Sequence, residues 1–92
     1  MKVKLRCFGG IRTAVGSREI IMEVPEQTTL HGLFRLFESE YPQIPLSVYE
    51  GDGFRRRFRV LINGRDTFTL QGTDTVLVND DIVTVFPLIV GG

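Results

Sequence analysis

The amino-acid sequence predicts an α+β domain in which a mixed sheet of four to five strands surrounds one main helix. Three stretches carry this prediction: an alternating polar and apolar run at the N-terminus, an apolar stripe of helical period in the middle, and a β-branched run near the C-terminus. The 92 residues suffice for one domain with a single modest core. The fold must therefore be built from few elements.

The N-terminal part predicts two strands joined by a long loop. Residues 2–8 alternate between basic and apolar side chains, as a half-buried strand does. The apolar face contains Val3, Leu5 and Cys7. Gly9 and Gly10 break the pattern, and residues 11–17 indicate a loop or short helical turn. The β-branched residues 18–24 predict a second strand, which Pro25 ends.

The middle of the chain predicts the helix. Thr28 or Thr29 offers an N-cap, and Pro42 with Pro45 prevents the helix from continuing. Apolar side chains follow at helical spacing: Leu30, Leu33, Phe34, Phe37 and Tyr41. This stripe is expected to lie against the inner face of the sheet. Each phenylalanine should contribute roughly 1.5–3 kcal/mol of transfer free energy.

A third strand is predicted after a connector. Residues 47–53 form the connector, and residues 57–62 alternate with Phe58 among the inward side chains. Asn63 and Gly64 form a strong tight-turn signal at the end of this strand. The third strand is therefore expected to end there.

The last part of the chain predicts a minor strand and a closing strand. Residues 66–78 are irregular, with short extended pieces expected around 67–70 and 75–78. The Asn-Asp-Asp sequence at 79–81 predicts a turn. Residues 82–86 are apolar enough for a central strand, and pairing should stop at Pro87, which lacks an amide hydrogen.

A sheet with its first and last strands paired in parallel at the middle satisfies this order of elements. That is the β-grasp arrangement of ubiquitin-like proteins. Residues 1–92 are predicted to form one such domain, with residues 87–92 as a flexible C-terminal tail.

The tail closes with Gly91 and Gly92. Glycine has no Cβ, so these residues can pass through a channel too narrow for a side chain. The carboxylate of Gly92 is then accessible to an activating enzyme. A frayed, functionless end is the alternative interpretation, because chain termini are often poorly ordered.

Composition argues against several classes of function. Eleven basic residues balance eleven acidic ones, so the excess of positive charge typical of nucleic-acid binding is missing. One cysteine and one histidine cannot build a closed zinc site, and the absence of a disulfide pattern fits the cytoplasm. No segment has the length and hydrophobicity of a signal peptide or a membrane span. A soluble protein that binds neither nucleic acid nor membrane is expected.

No catalytic constellation is visible, which predicts that the chain is not an enzyme. His31 is expected to be a partly exposed helix residue, and Cys7 an inert inward thiol. Asp80 and Asp81 could be metal ligands, but the turn is the preferred interpretation. No cofactor and no metal are predicted.

The basic cluster at residues 55–59 has two interpretations. RNA binding would require Phe58 to be exposed for stacking. Alternation places Phe58 inward instead, which favours a solvated strand edge whose arginines could meet an acidic patch on a protein partner.

At this point the sequence resembles a known family. The matching parts are residues 12–16 after the first strand, Thr28-Thr29-Leu30 at the helix start, residues 60–64, and residues 80–87 running to the final diglycine. Together they resemble the small subunit of molybdopterin synthase. The thiamine-pathway sulfur carriers and the archaeal ubiquitin-like small modifiers are similar.

The resemblance implies a function for the tail. A ubiquitin-activating-type adenylating enzyme would use ATP to adenylate Gly92, while Gly91 supplies flexibility. The adenylate would become a thiocarboxylate that donates sulfur for molybdopterin (molybdenum cofactor) synthesis or tRNA thiolation. The docking stem would comprise Phe86, Pro87, Leu88, Ile89 and Val90, with Phe86 as a contact anchor for the activating enzyme or a molybdopterin synthase large subunit. Core packing is the alternative role for Phe86.

Two further functions remain open. Gly92 could be conjugated to lysines of target proteins, as in a ubiquitin-like modifier. The chain could also be a β-grasp binding module without tail chemistry. Its only lysines are Lys2 and Lys4, so any chain that the protein builds on itself must form there or at Met1.

Overall fold

Seven strands and one long helix lie in the described part of the computed structural model, which comprises residues 1–8, 12–13, 15–42, 49–50, 53–54 and 58–87. In chain order the elements are β1 (Lys2–Cys7), β2 (Glu19–Glu23), α1 (Leu30–Glu40), β3 (Tyr49–Glu50), β4 (Gly53–Phe54), β5 (Phe58–Ile62), β6 (Arg65–Asp66) and β7 (Ile82–Pro87). The four main predicted strands correspond to β1, β2, β5 and β7, and none of their ends differs from the observed end by more than one residue.

Strand β7 lies at the centre of a five-stranded mixed sheet with the order β2-β1-β7-β5-β6. It pairs in parallel with β1, where Lys4 is opposite Ile82, and antiparallel with β5, where Val60 is opposite Val85. β1 and β2 form the predicted antiparallel hairpin. The β-grasp prediction, with the first and last strands parallel at the middle, is confirmed.

Helix α1 begins at the predicted cap. Thr29 has extended backbone angles, and its Oγ1 accepts a hydrogen bond from the Gly32 amide at 3.1 Å. This bond satisfies one of the amides that have no partner within the helix. At the other end the Tyr41 amide donates to the Phe37 carbonyl at 3.0 Å. Pro42 follows directly and cannot extend the helix.

The helix and the inner face of the sheet share one core. The helix contributes Leu30, Leu33, Phe34 and Phe37, all 0% exposed, and Phe34 meets Phe37 edge to face at 6.2 Å. The central strands contribute Val3, Leu5, Cys7, Val60, Ile62, Val83 and Val85. The predicted stripe is therefore buried as expected, with Tyr41 packed at its margin.

The predicted turn at Asn63 and Gly64 joins β5 to β6. Both residues have positive φ, 50° and 83°, which the paired two-residue hairpin turn requires. Ile62 is opposite Arg65 in the resulting ladder. Asparagine and glycine are the residues that adopt this conformation at least cost.

The prediction of an extended piece around residues 67–70 is wrong. A short 3-10 turn spans Thr67–Thr69, because the Asp66 carboxylate accepts a hydrogen bond from the Phe68 amide at 3.0 Å and caps it. A second 3-10 turn spans Gly72–Asp74. In the predicted piece at 75–78, only Val76 forms a bridge, with Thr29.

The connector contains a feature that was not predicted. Strands β3 and β4 form a separate two-stranded ladder, with Tyr49 opposite Phe54. Aromatic residues favour strands, and here they flank a glycine-containing turn sequence. In the part of the chain that the structure describes, no helix is long and apolar enough to cross a bilayer.

Candidate functional site

The candidate site lies where β7 leaves the sheet. Pro87 is the last residue of the strand, and its backbone is opposite Phe58. Because β7 and β1 are parallel, β7 ends beside the end of β1, at one edge of the molecule. The predicted tail residues Leu88, Ile89, Val90, Gly91 and Gly92 lie outside the described residues, so their roles remain predictions, as does the division of the chain into domain and tail.

Phe86 lies on the outer face of the sheet, next to this exit. Its neighbour Val85 is 1% exposed and points into the core, whereas Phe86 is half-buried. Its ring meets that of Phe8 edge to face, with ring centres 6.4 Å apart and planes at 82°. Phe86 is thus neither a core residue nor a fully exposed anchor, and it leaves part of its ring open to a partner.

Phe8 is a site residue that the sequence analysis did not single out. It is 45% exposed and completes what we call the aromatic pair, Phe8 and Phe86. The signal was present, because the outward positions of the first strand are Lys2, Lys4 and Arg6, and the same alternation places Phe8 outward. Large exposed aromatic side chains next to a strand end are typical of contact surfaces.

Ion pairs cover the outer face beside the aromatic pair. The Glu19 carboxylate lies 3.4 Å from Lys4 Nζ and 3.2 Å from Arg6 Nε. Desolvation raises the pKa of Glu19, but hydrogen bonds from Arg6 and Lys4 outweigh it and hold the pKa below its ordinary value. These exposed pairs orient side chains more than they stabilise the fold.

A shallow pocket of about 320 Å³ opens next to Phe8. Its walls are formed by Arg6, Cys7, Phe8, Arg12, Arg18 and Glu19. The lining thus contains three arginines and one glutamate. The aromatic pair therefore has a basic neighbourhood on the β1 side.

On its other side, the aromatic pair faces β5. Arg59 is opposite Phe86 in the ladder, and its Nε lies 3.3 Å from an Asp66 carboxylate oxygen. The rest of the basic cluster, residues 55–57, and the side chain of Phe58 lie outside the described part of the structure. The predicted inward orientation of Phe58 therefore stays a prediction.

The structure places Cys7 and His31 away from catalytic surroundings. Cys7 is 1% exposed, and burial raises the pKa of its thiol to about 11, so the reactive thiolate is disfavoured. His31 lies half-buried in the first turn of α1. The inert thiol and the partly exposed helix residue that the sequence predicted are what the structure contains.

Asp80 and Asp81 form the predicted turn, and Asp81 has a structural role. Its side chain is only 7% exposed, with one carboxylate oxygen accepting from Asn63 Nδ2 and the other from the Val78 amide, both at 2.9 Å. Asp80 adopts a φ of 69°. No group of three His, Cys, Asp or Glu side chains suited to a metal ion occurs among the described residues.

The mixed five-stranded sheet, with its first and last strands parallel at the centre and one long helix against it, defines a ubiquitin-like β-grasp protein. The comparisons with known proteins make this specific: residues 5–92 match the ThiS family. The chain belongs to the ThiS family and is a member of the group of small ubiquitin-like modifiers and sulfur carriers.

Three relatives illustrate the match. Small archaeal modifier protein 3 of Haloferax volcanii is 34% identical over 92 residues, which is 100% of both chains. A solution structure of a Haloferax volcanii protein is 34% identical with a TM-score of 0.87 and covers 100% of this chain and 87% of that one. A Pyrococcus furiosus protein named as a candidate molybdopterin converting factor subunit 1 is 26% identical with a TM-score of 0.79, covering 97% and 99%.

These relatives are small modifier or carrier proteins, not catalysts. The prediction that the chain is a carrier or modifier protein and not itself an enzyme is confirmed by the family.

Proposed function

We propose that the chain is a sulfur carrier whose Gly92 carboxylate is adenylated by a ubiquitin-activating-type enzyme and converted to a thiocarboxylate. The observation that carries the proposal is the position of Phe86. It leaves an aromatic surface open on the outer face at the point where the central strand leads into the diglycine tail. A partner that binds this surface would position the tail, and with it the carboxylate of Gly92.

The proposed chemistry needs no group from this chain except its terminal carboxylate. A carboxylate oxygen of Gly92 attacks the α-phosphate of ATP, and pyrophosphate leaves. A sulfide equivalent from a sulfur donor then attacks the acyl carbon, so that a C–S bond forms, the C–O bond to the phosphate breaks, and AMP leaves. The chain contributes a slender acyl group, because neither Gly91 nor Gly92 has a side chain that would obstruct the activating site.

Docking would combine the aromatic pair with the stem, residues 86–90. Aromatic side chains at the centre of a contact often supply most of its binding energy. The arginines around the pocket beside Phe8 suit an acidic surface on the activating enzyme. The sulfur acceptor is proposed to be a molybdopterin synthase large subunit or a tRNA-thiolation enzyme. ATP is bound by the activating enzyme in the cytoplasm, and no cofactor is proposed for this chain.

A second candidate function is a protein modifier joined through Gly92 to lysines of other proteins. The specific observation in its favour is the 34% identity, over the whole length of both chains, to a protein named a small archaeal modifier. Both functions begin with the same adenylate, and they differ in whether sulfur or a lysine amine attacks it.

Intact-mass analysis of the protein isolated from its own cells tests the proposal. The protein is measured before and after incubation with cell extract and ATP. We expect a gain that corresponds to replacement of one oxygen by sulfur, and iodoacetamide should alkylate the new group at Gly92. Extract with AMP in place of ATP is the first control, and a chain lacking Gly91 and Gly92 is the second.

Each other result changes the conclusion. Diglycine remnants of this tail on lysines of other proteins, without any sulfur-containing form, would establish the modifier instead. If neither product forms in the presence of ATP, the tail chemistry is refuted, and the chain is a β-grasp binding module.

A further inference from the structure

The structure also points to an acceptor of the activated tail. We propose that Lys2 is the amine to which residues 88–92 of a second copy of this chain are joined. This inference rests on the activation of Gly92 proposed above and extends it to a named acceptor site. Its basis is a comparison of the three amines in the chain, together with a groove that Lys2 and Lys4 both line.

The N-terminal amine is held in the fold. Met1 N donates a hydrogen bond to the Val24 carbonyl at 2.8 Å, and the Met1 carbonyl accepts one from the Val24 amide at 2.9 Å. The amine is partly buried at this position. Attack on an acyl carbon requires a free lone pair and room for the tail, so Met1 would have to leave its place beside β2.

Lys4 is also engaged. Its Nζ lies 3.4 Å from a carboxylate oxygen of Glu19, and its side chain is only 37% exposed. An amine held against a carboxylate must leave this contact before it can attack an acyl carbon. Lys4 is therefore a poorer acceptor than an unpaired lysine on the same face.

Lys2 combines a fixed backbone with an accessible side chain. Its amide donates to Asn79 Oδ1 at 2.8 Å, and its carbonyl accepts from the Asp80 amide at 2.8 Å. The side chain is exposed, and none of the ion pairs among the described residues involves its ammonium group. The backbone of Lys2 is thus fixed, while its side chain stays accessible.

Lys2 stands at the edge of a groove that suits the tail. The groove has a volume of about 270 Å³ and is lined by Lys2, Val3, Lys4, Ile21, Asp80 and Ile82. Ile21 is 66% exposed, which is high for an isoleucine on a sheet face. The tail sequence Leu88-Ile89-Val90 is apolar and precedes the two glycines. Apolar contact in the groove would place the acyl carbon of Gly92 near the amine.

The geometry of the sheet favours reaction between two copies. β1 and β7 are parallel, and Lys2 is at the start of β1, whereas the tail leaves from the end of β7. The chain's own tail would have to reverse and run the length of the sheet to reach Lys2. The tail of a second copy can approach Lys2 from outside and need not reverse its direction along the sheet.

The reaction is an acyl transfer without a redox step. The Lys2 amine attacks the acyl carbon of the activated tail, a C–N bond forms, and the bond to the leaving group breaks. The leaving group is AMP or, from a thioester, a thiol. The amine proton is released to water.

A synthetic donor tests the acceptor without any activating enzyme. A peptide of residues 86–92, labelled at its N-terminus and carrying a C-terminal thioester, is incubated with the folded full-length protein, and the labelled site is mapped by peptide mass. We expect label on Lys2, loss of labelling in Lys2→Arg, and retention in the matched variant Lys4→Arg. Label on Met1 or Lys4, or no label at all, would overturn the proposal.

The groove is tested with the same probe. Ile21→Ser should reduce labelling of Lys2, whereas Phe68→Ser, which changes a side chain 91% exposed elsewhere on the surface, should not. Equal labelling in the two variants would show that the groove does not hold the tail.

A second experiment separates this inference from the proposed function. In cell extract with ATP, wild-type protein should form covalent multimers that Lys2→Arg cannot form, while Lys2→Arg still yields the thiocarboxylate or conjugates to other proteins. Multimers that persist in Lys2→Arg would refute the inference about Lys2 but not the proposed function. The same holds for a monomer that has lost one water, since that product is formed by cyclisation within one chain. If no product forms at all, the proposed function fails, and the thioester probe still decides the role of Lys2.

Discussion

Cys7 shows how the position of a single residue determines its chemistry. It lies on the inner face of β1, 1% exposed, among apolar neighbours of the core. Burial disfavours the thiolate and raises the pKa of the thiol to about 11. A group that ionises less readily in the folded state than in the unfolded state links stability to pH.

The stability contributed by Cys7 should therefore decrease at alkaline pH. The unfolded thiol loses its proton near its ordinary pKa of 9.0, while the folded thiol keeps it until about 11. The contribution is fully present below 9.0 and is lost as the pH rises from 9.0 to about 11. Urea unfolding of the wild type and Cys7→Ala at several pH values measures this. The difference between their free energies of unfolding should shrink above pH 9.0, and a constant difference would contradict the prediction.

Burial at the residue scale could be predicted from the sequence, but contacts between side chains of different strands could not. Alternation in the first strand placed Val3, Leu5 and Cys7 inward, and all three are at most 1% exposed. The contact between Phe8 and Phe86 was missed because it joins residues from opposite ends of the chain. Periodicity assigns a side chain to a face and does not say which side chains meet across strands.

Asp81 connects two elements of the sheet. Its carboxylate binds the side chain of Asn63, in the turn between β5 and β6, and the amide of Val78, before β7. Asn63 Oδ1 in turn accepts from the Ile82 amide at 2.9 Å. The turn and the start of the central strand are thus fixed to each other by side chains.

Asp81→Ala should lower the free energy of unfolding by about 1–3 kcal/mol, because it leaves two donors without their acceptor. Urea denaturation measures the change. Asp80→Asn is the matched control, since it changes the adjacent carboxylate and keeps a residue that tolerates the φ of 69°. We expect it to change stability by less than about 0.5 kcal/mol. Equal effects of the two substitutions would show that the contacts of Asp81 are not responsible.

At the scale of elements, the sequence predicted those features that depend on a few neighbouring residues, such as a helix cap and a tight turn. The cap at Thr29 and the turn at Asn63-Gly64 have specific residue requirements and were placed correctly. The 3-10 turn at Thr67–Thr69 was missed because its alternating apolar residues resemble a strand, while the Asp66 cap decides the conformation. The roles of the tail residues could be predicted only from the resemblance.

Phe86 belongs to the scale of the whole molecule, because it joins the core-forming strand to the proposed contact surface. Phe86→Ala should lower the free energy of unfolding by about 0.5–1.5 kcal/mol through loss of the edge-to-face contact with Phe8, in addition to the loss of its buried apolar area. It should also slow adenylation of Gly92, measured as ATP-pyrophosphate exchange with the purified activating enzyme. Phe68→Ala, at a position 91% exposed, is the control and should change neither quantity. If the exchange rate is unchanged in Phe86→Ala, the ring is a packing residue only.

The position of β7 has a consequence for how the protein is made. Without this strand, the hairpin of β1 and β2 has no neighbour in the sheet, and neither does the hairpin of β5 and β6. Residues 82–87 are synthesised after all the other strands of the sheet. A nascent chain that stops before them therefore cannot form the complete five-stranded sheet. Contacts between sequence-distant strands also form slowly. The five-stranded sheet is therefore complete only in chains whose synthesis has reached β7, the strand that directly precedes the tail.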